Sequence, residues 1–392
     1  MFSFFSYALP LAALQFVIQP IIASRLGAEL NGQFLTLMSI NYFLIGITAT
    51  VLNTVRMLQH EEYRKQGYVG DFNIYFSVYA LTLLVVMPIL FVVYTGRLNA
   101  IDILLYVIVG ILYLYHDYIF AQYRLELKYG KILINNVIIV VGYFIGLAIF
   151  FRIGYWQIVV ITAYLLSGIY DFFNTTFLRE PIRKTPLLKD TSRKILYYTG
   201  SNVLSSFVTY CDKLLLYPLL GGALVSVYST ATMVGKLLLL LSSPLSSVLL
   251  SYLVRAKTFR IKLSAKWIAL IALGGCAAYL GCLLVGYPLT DLLYPDWAAE
   301  SQKYIPVTIL GSMLGLLIHL LNTIVIRFFK ASFQMKFQAA NLIVYLVVCL
   351  TLLHFFSLWG FCIGVVLTNF IRLVVLMVVI SKLNGKEKTK CE

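Results

Sequence analysis

The feature that most constrains this chain is a series of apolar stretches, each about twenty residues long, that recurs along the whole sequence. A bilayer core about 30 Å thick needs about 20 apolar residues per helix. Strands of a membrane barrel would instead alternate apolar and polar residues over about ten positions, a pattern that this sequence lacks. The sequence predicts twelve spans, at 4–24, 33–55, 75–95, 101–123, 132–151, 157–178, 195–219, 224–253, 265–285, 304–326, 337–356 and 359–381.

The composition excludes a soluble multidomain protein. Hydrophobic residues make up 61% of the chain and charged residues 12%, whereas soluble domains average about 45–50% and about 25%. A soluble fold of 392 residues has too little interior to bury so much apolar surface. The sequence therefore predicts an all-α polytopic membrane protein.

The basic residues indicate an orientation in the membrane rather than binding to nucleic acid. The chain carries 31 Lys and Arg against 16 Asp and Glu, a formal net charge of +15. If the N-terminus is cytoplasmic, the predicted outer segments hold only Arg25, Arg97, Arg152 and Lys303, and most other basic residues fall in the inner segments. Because inner loops are enriched in Lys and Arg, we expect both termini in the cytoplasm.

The chain divides near its middle at its longest inner connection. We predict two six-helix lobes, 1–178 and 195–382, joined by a cytoplasmic linker at 179–194 and followed by a basic tail at 383–392. Lobes with the same starting orientation would be related by an axis along the membrane normal, with a central cavity between them.

A short internal repeat favours a duplication. The first copy is Leu26-Gly27-Ala28-Glu29-Leu30, ending in Phe34, and the second is Leu220-Gly221-Gly222-Ala223-Leu224, ending in Tyr228. Each copy follows the first predicted helix of its half.

Ionisable residues in or beside the spans are the candidates for function, because a charge at the centre of a membrane helix costs about 2.5–3.5 kcal/mol on insertion scales. We assign a set of cations to a wet cavity that attracts an anionic substrate such as a phosphate. Lys236 and Arg372 lead this set, since both lie near mid-bilayer with no acid one turn away in their own helices. The candidate substrate-binding cations are Lys236, Arg372, Lys213, Arg56, Arg327 and Arg25.

A second set is assigned either to ion coupling or to simple pairing between helices: His116, Asp117, Asp212 and Asp171. The adjacent His116 and Asp117 are candidates for proton coupling, with a structural role as the alternative. Asp171 lies near a cytoplasmic helix end, where we expect it to be solvated. Asp212 and Lys213 point about 100° apart on a helix, so we expect each to pair with a different helix instead.

Motifs of enzymes and of cofactor sites are missing from the sequence. It contains no Walker A loop, no HExxH and no CxxC pair, and the six cysteines are interpreted as packing residues. We therefore expect no enzymatic activity, no cofactor and no metal.

Four segments carry a resemblance to a known family: Ser24–Phe34 (SRLGAELNGQF), Asp212–Ser229 (beginning DKLLL), Leu292–Tyr294 before Ala298, and Leu358–Gly364 (LWGFCIG). With their order, spacing and twelve-helix layout, the chain resembles the Wzx-type polysaccharide flippases of the multidrug/oligosaccharidyl-lipid/polysaccharide (MOP) exporter superfamily. The resemblance implies two lobes around a cavity that opens alternately to either side of the bacterial inner membrane. It also implies a substrate of undecaprenyl-diphosphate-linked oligosaccharide repeat units, and polymerase and chain-length components of the same pathway as partners.

Two other functions stay open at this point. A cation-coupled drug exporter of the same superfamily would favour acidic cavity residues, whereas Lys236 and Arg372 would repel cationic drugs. A membrane-embedded polymerase, ligase or acyltransferase would need converging acid and base groups, whereas His116, His319 and the intramembrane acids are scattered along the chain.

Overall fold

The computed structural model describes the backbone of residues 9–239, 245–246, 265–328 and 331–388, and side chains within 9–239, 245–246, 273–325 and 336–381. In these ranges all regular secondary structure is helical, without a β-strand. Nine of the described helices are long and apolar enough to cross a membrane, and one bent pair raises the number to ten. The predicted all-α polytopic membrane fold is confirmed.

Where the structure describes them, the main helices follow the predicted spans closely from the third span onward; residues 240–244 and 247–253 of the predicted span 224–253 lie outside the described residues. The helix Gly222–Ala231, called α8 below, continues as Met233–Leu239 after a bend of 49°. The helices are α1 Gln19–Ile47, α2 Ala49–Gln66, α3 Asp71–Thr95, α4 Ala100–Leu125, α5 Tyr129–Ile153, α6 Gln157–Asn174, α7 Leu188–Leu220, α8 Gly222–Ala231, α9 Ala265–Leu293, α10 Ala298–Gln302, α11 Ile305–Phe328 and α12 Ala331–Lys388.

Two long helical stretches each contain two predicted spans. With the bent pair counted as one span, the ten helices therefore correspond to the twelve predicted spans. Leu9–Gln66 covers the first two spans, and its backbone leaves the helical conformation at Gly27, where φ is 73° and ψ is 170°. Lys336–Ser381 covers the last two, with a break at Ser357, where φ is 52°. Both breaks lie in the predicted connections between spans.

The chain forms two compact units, Met1–Gly222 and Ala223–Glu392. The first unit includes α1 to α7, and the second begins at α8. The division into lobes at 1–178 and 195–382 with a linker at 179–194 stays a prediction.

The core of the first unit is rich in aromatic side chains. Tyr118, Tyr123 and Phe72 are buried there together with aliphatic residues of α2, such as Leu52 and Val55. Tyrosine suits this position because its ring is apolar while its hydroxyl finds a partner among the buried polar groups. This core therefore brings several hydrogen-bonding groups into the membrane region of the unit.

The core of the second unit contains apolar residues of α11 and α12. Ile318, Ile324 and Val325 pack with Leu376 and Ile380. The membrane-exposed residues of the same helices are also apolar, as in Leu310, Val347 and Phe370, because lipid rather than water surrounds them. An ionisable side chain in these helices is therefore an exception that requires a structural or functional reason.

Candidate functional site

Arg372 on α12 has one hydrogen-bond partner among the described groups, and one of its donors has none. Its Nη2 donates a hydrogen bond to Oε1 of Gln338, 3.1 Å away. Its Nε is buried and has no hydrogen-bond partner among the described groups. Since a buried donor without a partner costs about 1–3 kcal/mol, this arrangement favours an acceptor that arrives from outside the protein.

The hairpin inside α12 explains why Arg372 and Gln338 meet although they are far apart in sequence. The break at Ser357 reverses the chain, and Gly360 lies so close to the other arm that a Cβ there would approach the carbonyl oxygen of Leu352 to 1.9 Å. Gly364 packs in the same way against Cys349. Small residues thus let the two arms of the hairpin approach closely enough for a contact between Arg372 and Gln338.

Lys236 lies in the second unit, one turn after the bend that ends α8. The bend occurs at Thr232, and Thr308 on α11 donates a 2.7 Å hydrogen bond to the carbonyl of Ala231 beside it. A carbonyl satisfied by another helix permits such a bend within the membrane. Lys236 is half-buried just beyond it.

His319 on α11 adds a third basic group to this unit. It lies within the range of an electrostatic interaction with Arg372. The arginine thus has an amide and an imidazole as neighbours.

The membrane part of the second unit contains cations but no acids. Between residues 223 and 290, and again between 301 and 381, the sequence has no Asp or Glu. The intramembrane acids Asp117, Asp171 and Asp212 all belong to the first unit. Within the membrane region, the second unit therefore has basic residues alone, whereas the intramembrane acids lie in the first unit.

Asp171 on α6 is the centre of a buried polar cluster in the first unit, and the expectation that it is solvated is wrong. The residue is 0% exposed. Its carboxylate accepts hydrogen bonds from Tyr123 Oη at 2.8 Å, Asn135 Nδ2 at 2.7 Å and Ser167 Oγ at 3.5 Å. Donors from α4, α5 and α6 together compensate its burial.

His116 and Asp117 do not act as a pair, because adjacent residues of α4 face different neighbours. The Nδ1 of His116 lies 3.2 Å from Ser167 Oγ and 3.9 Å from Asp171 Oδ2. Asp117 accepts a 2.8 Å hydrogen bond from Thr50 on α2. The carboxylate beside the imidazole is therefore that of Asp171. A role of His116 and Asp117 in ion coupling stays a prediction.

Asp212 and Lys213 on α7 form an ion pair with each other, contrary to expectation. Lys213 Nζ lies 3.7 Å from Asp212 Oδ2, and both side chains are nearly buried. The lysine side chain is long enough to bend back across the angle between adjacent residues. Much of the charge of Lys213 is therefore balanced locally, and its role as a substrate-binding cation stays a prediction.

The remaining candidate cations occupy different surroundings. Arg56 does not face an open vestibule, because it is 6% exposed and pairs with Glu180 at 2.5 Å. Arg25 is exposed and donates a 3.2 Å hydrogen bond to the carbonyl of Phe151. Arg327 belongs to α11, but its side chain lies outside the described residues. Binding of substrate by these three residues stays a prediction.

Comparison with known proteins gives no family model that matches this sequence and no match among curated proteins. Solved structures do match. A multidrug resistance MATE family transporter of the MOP superfamily, in an inward-facing conformation, superposes with a TM-score of 0.72 at 12% identity, over 98% of this chain and 99% of that one. The lipid II flippase MurJ, in an inward closed conformation, gives a TM-score of 0.78 at 13% identity, over 97% and 87%.

This chain has the fold of the MOP-superfamily transporters. A third similar structure is a MOP superfamily transporter from Pyrococcus furiosus, for which a reverse polarity of the binding pocket is described; it has a TM-score of 0.61, 13% identity and coverage of 97% and 94%. A MOP fold at such low identities admits several kinds of cargo, because function depends on the site that a fold carries.

The sequence analysis missed the polar partners that surround these charges. Gln338, Ser167 and Glu180 contact Arg372, Asp171 and Arg56 respectively, yet none of the three was a candidate. One signal was present, since Asn135 and its neighbour Asn136 interrupt an apolar span. Two amides in a row inside a membrane helix indicate a buried polar contact.

Proposed function

We propose that the protein is a flippase that moves undecaprenyl-diphosphate-linked oligosaccharide repeat units from the cytoplasmic to the outer leaflet of a bacterial inner membrane. The observation that carries the proposal is the second unit's membrane region, where Lys236, Arg372 and His319 lie in the acid-free stretches 223–290 and 301–381. A diphosphate entering a low-dielectric region needs positive charge, and no carboxylate within these stretches competes for it.

Arg372 is the proposed main contact with the diphosphate. Gln338 fixes one edge of its guanidinium, and the buried Nε has no hydrogen-bond partner among the described groups. Arginine suits this role because its planar donors match two phosphate oxygens at once. The Wzx-like motifs and the similarity of the fold to that of a lipid II flippase support the same cargo class.

The proposal includes alternating access without enzymatic turnover. Transport by exposure of one site to either side in turn matches the twelve-span, two-half layout of the chain. Surface polysaccharide synthesis would then require a separate polymerase and chain-length components as partners, with both termini of this protein in the cytoplasm.

Deletion of the gene in the source organism tests the proposal. We expect loss of surface polysaccharide and accumulation of lipid-linked repeat units inside the cell. Normal surface polysaccharide, with no accumulated repeat unit, would contradict it. A covalently extended product made by the purified protein would instead indicate a polymerase or transferase.

A cation-coupled drug exporter is the second candidate, and the Asp171 cluster favours it. The carboxylate of Asp171 lies beside Asn135, whose Oδ1 is buried and has no hydrogen-bond partner among the described groups. Oxygens of this kind are suitable for a monovalent cation or a proton. Resistance of expressing cells to cationic drugs, lost in Asp171→Asn while surface polysaccharide is unaffected, would favour this exporter over the flippase.

A further inference from the structure

The connection between α6 and α7, which we call the strap (175–187), is fixed to the first unit at its start. Oε1 of Gln122 on α4 accepts hydrogen bonds from the backbone N–H groups of Thr176 at 2.9 Å and Phe177 at 3.2 Å. Asn73 on α3 donates to the carbonyls of Phe177 at 2.8 Å and Glu180 at 2.9 Å. Two amide side chains thus bind the backbone of a segment that has little regular structure of its own.

The strap is fixed again at its middle and end. Arg56 pairs with Glu180, and its guanidinium lies over the ring of the buried Phe177. Asp71 is 0% exposed and accepts a 2.8 Å hydrogen bond from the backbone N–H of Thr185, whose hydroxyl also binds the same carboxylate. Since several buried polar groups of the first unit have hydrogen-bond partners in the strap, it is held in one conformation.

The exposed side chains of the strap include Ile182 and three basic residues. Ile182 is 69% exposed, and Arg179, Arg183 and Lys184 are exposed around it. The single acid of the strap, Glu180, points inward to Arg56. We call these four outward residues the basic face.

Aromatic residues at the end of α6 extend the basic face. Phe172 and Phe173 are 56% and 75% exposed. Arg179 donates a 2.8 Å hydrogen bond to the carbonyl of Phe172, and its guanidinium carbon lies 5.2 Å from the centre of that ring. Exposed aromatic and aliphatic side chains among cations are typical of a surface at the boundary between acyl chains and headgroups.

We propose that the basic face binds the headgroups of anionic phospholipids in the adjacent leaflet. Three cations without a nearby outward acid in the strap complement a negatively charged lipid surface, and Ile182 inserts among the acyl chains beneath it. Because the strap is already ordered, binding does not incur the entropic cost of fixing a loop. The strap is thereby a lipid contact that anchors the first unit, whatever cargo the protein carries.

Binding of phosphatidylglycerol to the full-length protein in detergent, followed by native mass spectrometry, tests the proposal. The variant is Arg183→Gln with Lys184→Gln, and the matched control is Arg64→Gln with Lys65→Gln. The control removes the same charge from exposed residues of the same unit, but there Glu61 pairs with Arg64 at 3.0 Å. At about 1 kcal/mol per charge, we expect the strap variant to bind roughly 30-fold more weakly and the control to change by less than about threefold.

Further binding measurements distinguish a specific lipid site from attraction by bulk charge and from a site for free phosphates. Binding of phosphatidylcholine should not differ between the wild-type protein and the strap variant, and Ile182→Ser should weaken phosphatidylglycerol binding with all charges present. Equal losses in the strap variant and the control would overturn the proposal, since bulk charge would then account for binding. Displacement of the lipid by an equal concentration of inorganic diphosphate would also overturn it and would indicate a site for free phosphates.

Discussion

Arg372 and Gln338 meet across the hairpin of α12, where Nη2 of the arginine donates a 3.1 Å hydrogen bond to the amide oxygen. The amide orients the guanidinium without neutralising it. A carboxylate in the same place would hold the arginine at least as firmly but would cancel its charge. This difference separates a structural role of Arg372 from a role in binding an anion.

The variant Gln338→Glu tests whether the positive charge of Arg372 is needed for function. We expect it to fold with unchanged or higher thermal stability, because a hydrogen bond becomes an ion pair, but to export at least tenfold less polysaccharide. Gln338→Leu should retain most export, since the positive charge remains. Surface polysaccharide and melting temperature, measured on the same strains and preparations, check both statements. Normal export by Gln338→Glu would mean that the charge of Arg372 is not needed.

The buried cluster of the first unit gives a second prediction, on stability. Asp171→Ala leaves the donors of Tyr123, Asn135 and Ser167 without an acceptor, so we expect a loss of about 2–4 kcal/mol in the free energy of unfolding. Asp117→Ala removes a carboxylate from the same unit that has Thr50 as its side-chain donor, and should cost about 1 kcal/mol or less. Denaturation of both purified variants is the measurement. Similar losses would show that the hydrogen bonds to Asp171 contribute little.

The internal repeat contains two equivalent glycines, and a substitution at the first of them gives a third prediction. Gly27 and Gly221 adopt nearly the same backbone conformation, with φ and ψ of 73° and 170° at the first and 83° and 172° at the second. Residues with a Cβ rarely adopt such values, so Gly27→Ala should destabilise the protein by about 1–2 kcal/mol although nothing lies within 4 Å of the added carbon. Gly200→Ala is the control, because that glycine is helical and has equally open surroundings. A loss as large in the control would show that backbone conformation is not the cause.

The ion pair that holds the strap gives a fourth prediction. Arg56 and Glu180 are 8% and 19% exposed in their side chains and 2.5 Å apart. Burial raises the pKa of Glu180 although Arg56 acts against this. Glu180→Gln should cost about 3 kcal/mol because Arg56 then stays buried without an anion.

A double-mutant cycle checks this pair. Arg56→Met with Glu180→Gln should cost less than the sum of the two single variants by about 1–3 kcal/mol. Strict additivity in urea denaturation would show that the two charges do not interact.

The overall architecture was predictable from the sequence because a bilayer imposes simple requirements. Each span needs about twenty apolar residues, so the breaks at Gly27 and Ser357 fall in the connections between predicted spans. The repeat around Gly221 was visible as well, since the same unusual backbone conformation requires glycine in both copies.

The surroundings of each charge were not predictable, because they depend on which helix packs against which. Sequence alone placed Asp171 at a solvated helix end, whereas Tyr123 and Asn135 from other helices enclose it. From the directions in which adjacent side chains leave a helix, we expect Asp212 and Lys213 not to pair. They do pair, because the lysine side chain is long enough to bend back. Residues such as Gln338 become candidates only when the fold shows what they contact.

Transport by the purified protein in liposomes, with a fluorescent undecaprenyl-diphosphate oligosaccharide, tests the central claim most directly. Protein with Arg372→Ala should move the lipid across the bilayer at least tenfold more slowly than the wild-type protein, and Arg372→Lys should retain part of the activity. Arg152→Ala, which removes an exposed arginine from the end of α5, should transport normally. Transport by Arg372→Ala at the wild-type rate would contradict the claim that this cation receives the diphosphate.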